Sequence, residues 1–192
     1  MSAIAQPQTC PHASSSTSSS AASPISAEQR AAIRAALQQN ASRMTIQIAR
    51  ELGVPEVEVI REMPKENVVE LDIKRWEELF RSFEELQSVH VIASNASVTL
   101  ECFGQFGNFS TWGEYFNVQT KTLDMHIRHA NLAAVFAVTK PGHMDGVPTV
   151  SFQFYDRSGV AAFKVFLTFG GNAPSAERLA QFTTIRDKFR KE

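Results

Sequence analysis

From Val89 onward, apolar and polar side chains alternate with the two-residue period of a β-strand, and this pattern constrains the fold more than any other feature of the sequence. Short runs rich in valine, phenylalanine and threonine follow one another, separated by brief polar turns such as Ser94-Asn95. No segment between these runs has the pattern of a crossover helix, so neighbouring strands should run antiparallel. We therefore predict an α+β protein with a large antiparallel β-sheet of roughly seven or eight strands, covered in part by flanking helices.

Two amphipathic helices are predicted to cover the sheet, because apolar side chains recur in each at helical spacing. The first begins at Asp72 and presents Ile73, Trp76, Leu79, Phe80, Phe83 and Leu86. The second begins at Pro174-Ser175 and presents Leu179, Phe182, Ile185 and Phe189. Both faces need a large apolar surface to pack on, which a broad sheet supplies.

The composition divides the chain into three parts. Residues 1–24 are serine-rich and too polar to bury a core, so we expect a disordered tail. Residues 25–64 are predicted to form a small helical segment, in which Gly53 ends one helix and Met63-Pro64 ends the next. Residues 65–192 are predicted to form the sheet domain.

The helical segment has the outline of a helix-turn-helix, but its side chains argue against DNA binding. The helix that would enter the groove carries Glu56, Glu58 and Glu62, with Arg61 as its basic side chain. Carboxylates repel the phosphate backbone. We therefore expect a packing or protein-contact module and no nucleic-acid partner, and a regulatory role is kept only as an alternative.

Charge and cysteine usage narrow the class of protein further. The chain has 19 Lys and Arg against 20 Asp and Glu, which gives no excess of positive charge for nucleic acid or anionic lipid. No apolar run is long enough to span a bilayer, and the serine-rich N-terminus is not a secretory signal, so we expect no membrane insertion. Cys10 and Cys102 make no disulfide framework, and we predict a cytoplasmic protein. The triplet Cys10-Pro11-His12 could bind haem or a metal, but such triplets are common by chance.

The candidate site lies between Trp112 and Lys140. Leu123 to Arg128 alternates strictly, which places His126 and Arg128 on one face of a strand. Such a face offers a metal-seeking nitrogen beside a fixed positive charge, although it is also what a merely solvated strand looks like.

The rest of the chain offers no competing chemistry. The sequence contains no nucleophile elbow, phosphate-binding loop or dinucleotide fingerprint. No histidine pair has metal-site spacing on a helix and no Cys-x-x-Cys motif occurs, so we expect no structural zinc site. It contains 14 phenylalanines against two tyrosines and two tryptophans. A single histidine or tyrosine among phenylalanines and basic groups suits haem, a large planar ligand whose iron needs only one or two axial ligands from the protein. The available side chains are Tyr115, Lys121, His126, Arg128 and Lys140.

From about Val54 to its end, the sequence resembles the cytosolic haem-utilisation carriers of bacteria, the HutX/ChuX family. The resemblance is carried, in order, by GVPEVEVIREMP, ASVTLECFG, EYFNV, MHIRHANLAAVFAVTKP, VSFQFYDRSGVAAFKVFL and the closing helix. It implies the haem-utilisation (ChuX/ChuS-like) fold, and a homodimer that resembles the two repeats of the larger ChuS/HemS proteins. It also implies a haem carrier for iron acquisition, which accepts imported haem and passes it to a haem-degrading enzyme.

The resemblance also implies the iron ligands. The histidine of the family's Gly-His-Ile segment falls on His126, and the tyrosine of its Gly-Tyr-Phe-Asn segment falls on Tyr115. Two further positions that carry histidine in some members are occupied here by Trp112-Gly113 and by Ser94. We therefore expect one strong axial ligand, His126, with Tyr115 as the alternative.

Arg128 and Lys140 are predicted, more from chemistry than from the family, to pair with the haem propionates. The main hypothesis is therefore haem binding and delivery without catalysis. The alternatives are a haem-degrading, oxygenase-like enzyme and a family member that has lost its ligand.

Overall fold

The structure is a computed structural model that describes residues 24–143, 146–169 and 171–192. The serine-rich tail and its Cys10-Pro11-His12 triplet lie outside the described residues, except for Pro24. The helices are α1 (Ala27–Gln39), α2 (Thr45–Leu52), α3 (Glu56–Arg61), α4 (Trp76–Ser82) and α5 (Ala176–Phe189). The strands are β1 (Val68–Leu71), β2 (Ser88–Ser94), β3 (Thr99–Gln105), β4 (Phe109–Trp112), β5 (Tyr115–Gln119), β6 (Asp124–Ile127), β7 (Leu132–Pro141), β8 (Pro148–Asp156) and β9 (Ala161–Phe166).

The predicted α+β class and antiparallel pairing are confirmed, but the strands are divided between two sheets. Six of them pair in the order β1-β7-β8-β9-β2-β3, and the other three form a separate sheet in the order β4-β5-β6. All recorded pairings are antiparallel.

The division arises in the stretch from Gly104 to Gly113, between the end of β3 and the end of β4. Asn108, with a φ of 47°, turns the chain out of the large sheet after β3 ends. Gly113, with a φ of 56°, then makes the tight β4–β5 turn, so that Phe109–Trp112 becomes a strand of the small sheet.

One face of the six-stranded sheet packs against α4, α5 and the small sheet. Its core is rich in phenylalanine, and the rings of Phe80 and Phe116 lie 5.7 Å apart between their centroids. The predicted apolar faces of the helices supply Leu79, Phe80, Phe83, Leu86, Phe182, Ile185 and Phe189. The small sheet adds Phe116, Val118, Leu123 and Ile127. The candidate site is therefore anchored in the main core through the inner face of the small sheet.

The opposite face of the large sheet packs against α1, α2 and α3. Ile33, Ile48 and Ile60 are fully buried there against strand residues that include Phe136 and Tyr155. The helical segment thus shares a core with the sheet. Where the chain divides into domains stays a prediction.

A buried ion pair ties α3 to this face of the sheet. The Glu56 side chain is 2% exposed, and its Oε1 accepts hydrogen bonds from Lys164 Nζ at 2.5 Å and from Thr45 Oγ1 at 2.6 Å. The contact joins α2, α3 and β9 through one carboxylate. Because both charged groups are largely removed from water, each is stabilised mainly by the opposite charge of the other.

Within the part of the chain that the structure describes, no helix combines the length and apolar character needed to cross a membrane.

Candidate functional site

The outer face of the small sheet carries the polar side chains that the alternation predicts. Leu123 and Ile127 point into the core, whereas the side chains of Asp124 and His126 are 65% and 56% exposed. The predicted alternation is thus confirmed. It places the His126 imidazole on the solvent-exposed face of β6.

The pairing of β4, β5 and β6 gathers further side chains on this outer face. Tyr115 lies opposite Trp112 on the neighbouring strand, and Asn117 lies opposite His126. The rings of Tyr115 and His126 meet edge to face, with centroids 6.4 Å apart. Trp112 is 77% exposed, so its indole offers aromatic surface at the end of this face.

Arg128 follows β6 and reaches back over the same face. Its guanidinium carbon lies 6.0 Å from the centroid of the Tyr115 ring, and Nη2 donates to Glu114 Oε2 at 2.6 Å. The hydrogen bond to Glu114 raises the pKa of Arg128, which therefore stays charged. Half of its side chain is exposed, at 50%, so the cation is available to an incoming carboxylate.

The His126 ring is hydrogen-bonded to Asn117, a residue that the sequence analysis did not identify. Its Nδ1 lies 2.8 Å from Oδ1 of Asn117, an amide that is 5% exposed. Its Nε2 lies 3.6 Å from Oδ1 of Asp124 and points to the exposed side. Two-residue spacing from Tyr115 could have assigned Asn117 to the outer face, but its burial depends on its neighbours in the sheet, Ser110 on β4 and His126 on β6.

Lys140 does not belong to this group of residues. It is aligned on β7 with Phe136 and Val138, which pack against α1–α3 on the opposite face of the large sheet. Its Nζ donates to the carbonyl oxygens of Ser42 at 3.1 Å and Pro141 at 2.9 Å. Burial, together with the charge of Lys164, lowers the pKa of Lys140 to about 8. The structure therefore brings together Tyr115, His126 and Arg128, and separates Lys140 from them.

Two other histidines, His90 and His129, stack on neighbouring aromatic rings. His90 is buried, stacks on Phe103 with ring centroids 4.9 Å apart, and has its pKa lowered by that burial. His129 stacks on Trp76 at 4.1 Å. In the described ranges, no three His, Cys, Asp or Glu side chains converge as a protein-only metal site requires.

This arrangement fits a ligand that brings its own metal and most of its coordination. Haem iron already has four porphyrin nitrogens and needs one axial donor, which the exposed Nε2 of His126 or the phenol of Tyr115 can provide. Trp112 and Tyr115 offer aromatic surface for a flat macrocycle, and Arg128 offers a cation for a propionate.

Three known proteins are similar to this chain in sequence or in fold. The intracellular heme transport protein HutX of Vibrio cholerae serotype O1 is 25% identical over 133 residues, which are 68% of this chain and 68% of that protein. A crystal structure of an Agrobacterium tumefaciens protein superposes with a TM-score of 0.75 at 24% identity, covering 88% of this chain and all of that one. The heme-binding protein ChuX superposes with a TM-score of 0.71 at 20% identity, covering 81% and 97% of the two chains.

The two structural similarities establish the shared fold. Residues 69–185, more than half of the chain, match the haem utilisation ChuX/HutX family. The family predicted from the sequence is thus confirmed, and the chain belongs to the ChuX/HutX haem-utilisation family.

Proposed function

We propose that this protein is an intracellular haem carrier that binds imported haem on the outer face of the small sheet and passes it to a haem-degrading enzyme. One observation carries the proposal: His126 is an exposed imidazole on β6, with Nδ1 bound to Asn117 and no hydrogen-bond partner recorded for Nε2 among the described residues. The name of the Vibrio relative, an intracellular heme transport protein, supports the same function.

In the proposed site, His126 is the axial ligand and Tyr115 is the alternative. Their ring centroids lie 6.4 Å apart, so one porphyrin would be near both side chains. Arg128 pairs with a propionate after exchanging its contact with Glu114. Lys140 is left out of this site because it lies on the opposite face of the large sheet.

A carrier is favoured over a haem-degrading enzyme by the openness of this face. Oxygenase chemistry needs a sheltered distal pocket that binds dioxygen and orders water above the iron. Here Trp112, Asp124 and His126 are all exposed. An air-exposed haem complex should therefore persist when a reductant is added, whereas rapid bleaching to a defined product would favour the enzyme.

Titration of the purified protein with haemin, followed by the Soret band, tests the proposed ligands. We expect His126→Ala to shift the Soret band and weaken affinity, and the double variant with Tyr115→Phe to lose the specific spectrum. His143→Ala, which removes an exposed histidine from the β7–β8 connection, is the matched control. An unchanged spectrum and affinity in the double variant would refute the assignment, and a wild type without saturable binding would refute the carrier.

The predicted homodimer and the predicted recipient enzyme remain part of the proposal. An association surface is supported by exposed apolar side chains on the edge strand β3 and its turn, where Val98, Leu100 and Phe103 are 59%, 62% and 53% exposed. Mass measurement of the protein with and without haem tests the dimer. Transfer of haem to a purified haem-degrading protein, followed by its product, tests the delivery step.

A further inference from the structure

We propose that Asn117 is a positioning residue that fixes His126 in the tautomer with hydrogen on Nδ1 and so presents the Nε2 lone pair to haem iron. This inference rests on the proposed function for its ligand, but its geometry belongs to the ligand-free protein. It adds a buried amide to a site otherwise described by its exposed side chains.

The contact is set by strand register. Asn117 on β5 and His126 on β6 are paired residues, so their side chains leave the sheet side by side. Nδ1 and Oδ1 lie 2.8 Å apart, which is a normal hydrogen-bond length. Asn117 is 5% exposed, whereas the His126 side chain is 56% exposed. One ring nitrogen is therefore held against the sheet while the other faces outward.

The direction of the hydrogen bond follows from a chain of three polar side chains. Ser110 Oγ donates to Gln119 Oε1 at 3.4 Å, which leaves the Ser110 oxygen as an acceptor. Asn117 Nδ2 donates to that oxygen at 3.1 Å, so Oδ1 of the same amide faces His126. An amide oxygen can only accept, so the imidazole must donate from Nδ1.

The Nε2 atom is consequently left as the acceptor of the neutral ring. The carboxylate Oδ1 of Asp124 lies 3.6 Å from Nε2, which is longer than a hydrogen bond, so Asp124 does not hold a hydrogen on that nitrogen. Among the described residues, none donates a hydrogen bond to Nε2. A metal-ligating histidine is characteristically oriented in this way, because a hydrogen bond to the other nitrogen fixes its tautomer and increases its basicity.

The tautomer can be measured before any haem is added. Two-bond proton–nitrogen correlations of ¹⁵N-histidine-labelled protein, at about pH 8 where an ordinary imidazole is neutral, distinguish hydrogen on Nδ1 from hydrogen on Nε2. We expect the Nδ1–H form for His126 in the wild type. Asn117→Leu removes the acceptor and should shift the population toward Nε2–H, whereas Asn117→Asp retains an acceptor and should restore Nδ1–H.

The haem complex supplies a second readout. In Asn117→Leu we expect haem affinity to fall on the order of 10–100-fold and the iron–histidine stretching band of the ferrous complex to weaken or move to lower frequency. In Asn117→Asp the same band should move to higher frequency. Ser110→Ala, which removes only the partner of the amide nitrogen, should give an intermediate tautomer population. Circular dichroism of each variant verifies the fold, and Ser110→Ala replaces Asn117→Leu if the latter does not fold.

The outcomes separate this inference from the proposed function. A wild-type His126 with hydrogen on Nε2, or a tautomer unaffected by both Asn117→Leu and Ser110→Ala, would overturn the positioning role whatever haem does. If Asn117 controls the tautomer while His126→Ala leaves haem binding unchanged, the axial ligand of the proposed function is wrong and the role of Asn117 toward His126 stands.

Discussion

Replacing Lys164 by methionine removes the positive charge that faces the buried carboxylate of Glu56. Nζ of Lys164 and Oε1 of Glu56 lie 2.5 Å apart, and the side chains of Lys164 and Glu56 are 16% and 2% exposed. At an effective dielectric constant of about 20, their attraction is about 7 kcal/mol. The desolvation of the two charges offsets most of this attraction, so the pair as a whole contributes little to the free energy of unfolding.

Removing one partner has a different consequence, because the other charge stays buried. Loss of one member of a buried pair costs about 3–5 kcal/mol. Thr45 still donates to Glu56 Oε1, so we expect Lys164→Met to lie near the lower end of this range. That cost corresponds to a decrease of about 6–12 °C in the melting temperature of a domain of this size. The double variant Glu56→Gln/Lys164→Met buries no charge, and we expect its stability to lie within about 1 kcal/mol of the wild type.

Urea unfolding followed by far-ultraviolet circular dichroism measures these free energies. The pair formed by Lys191 and Glu70 is the matched control, because its atoms also lie 2.5 Å apart but its side chains are 55% and 34% exposed. Lys191→Met should cost at most about 1 kcal/mol. Equal losses in Lys164→Met and Lys191→Met would show that burial does not control the effect. A double variant as unstable as Lys164→Met would contradict the argument from an unpaired charge.

Three further predictions concern other parts of the molecule. Because burial and Lys164 lower the pKa of Lys140 from 10.5 to about 8, the unfolded chain binds this proton more tightly. The free energy of unfolding should therefore rise as the pH increases from about 8 to about 10.5, and Lys140→Met should flatten this rise in urea titrations at several pH values. A Cβ added at Gly104 would lie 2.5 Å from Cβ of Leu123, so Gly104→Ala should cost about 1–3 kcal/mol in the same unfolding assay. Haemin should quench the fluorescence of Trp112, and Trp112→Phe should remove that part of the quenching; equal fractional quenching in the variant would place haem away from the β4–β5 turn.

The sequence predicts the local part of the site well because alternation along a strand determines which side chains share a face. His126 is exposed and Ile127 is buried for this reason. Alternation cannot tell which polar residue on a face becomes buried. Asn117 is buried between its partners Ser110 on β4 and His126 on β6, and only the pairing of the three strands brings these residues together.

Lys140 illustrates the limit for residues on different strands. It follows His126 closely in the sequence, yet β7 belongs to the other sheet and turns this side chain toward α1–α3. Tertiary packing decides which helices or sheet cover each face of a strand such as β7. The residues near Lys140 in the sequence do not encode that choice. The same reason explains why the strands were predicted as one sheet and form two.

The two sheets also differ in how far apart their paired residues are in the sequence. In the small sheet, each strand pairs with the next one along the chain, so the whole unit forms from consecutive hairpins. In the large sheet, β1 pairs with β7 and β2 pairs with β9, which requires distant segments to meet. Non-local pairing slows folding, so the large sheet should limit the folding rate. Local hairpins can open and reclose without global unfolding, and we expect amide hydrogens around His126 to exchange faster than those of β7 and β8. If haem binds as proposed, such local opening offers a route for its release while the rest of the molecule stays folded.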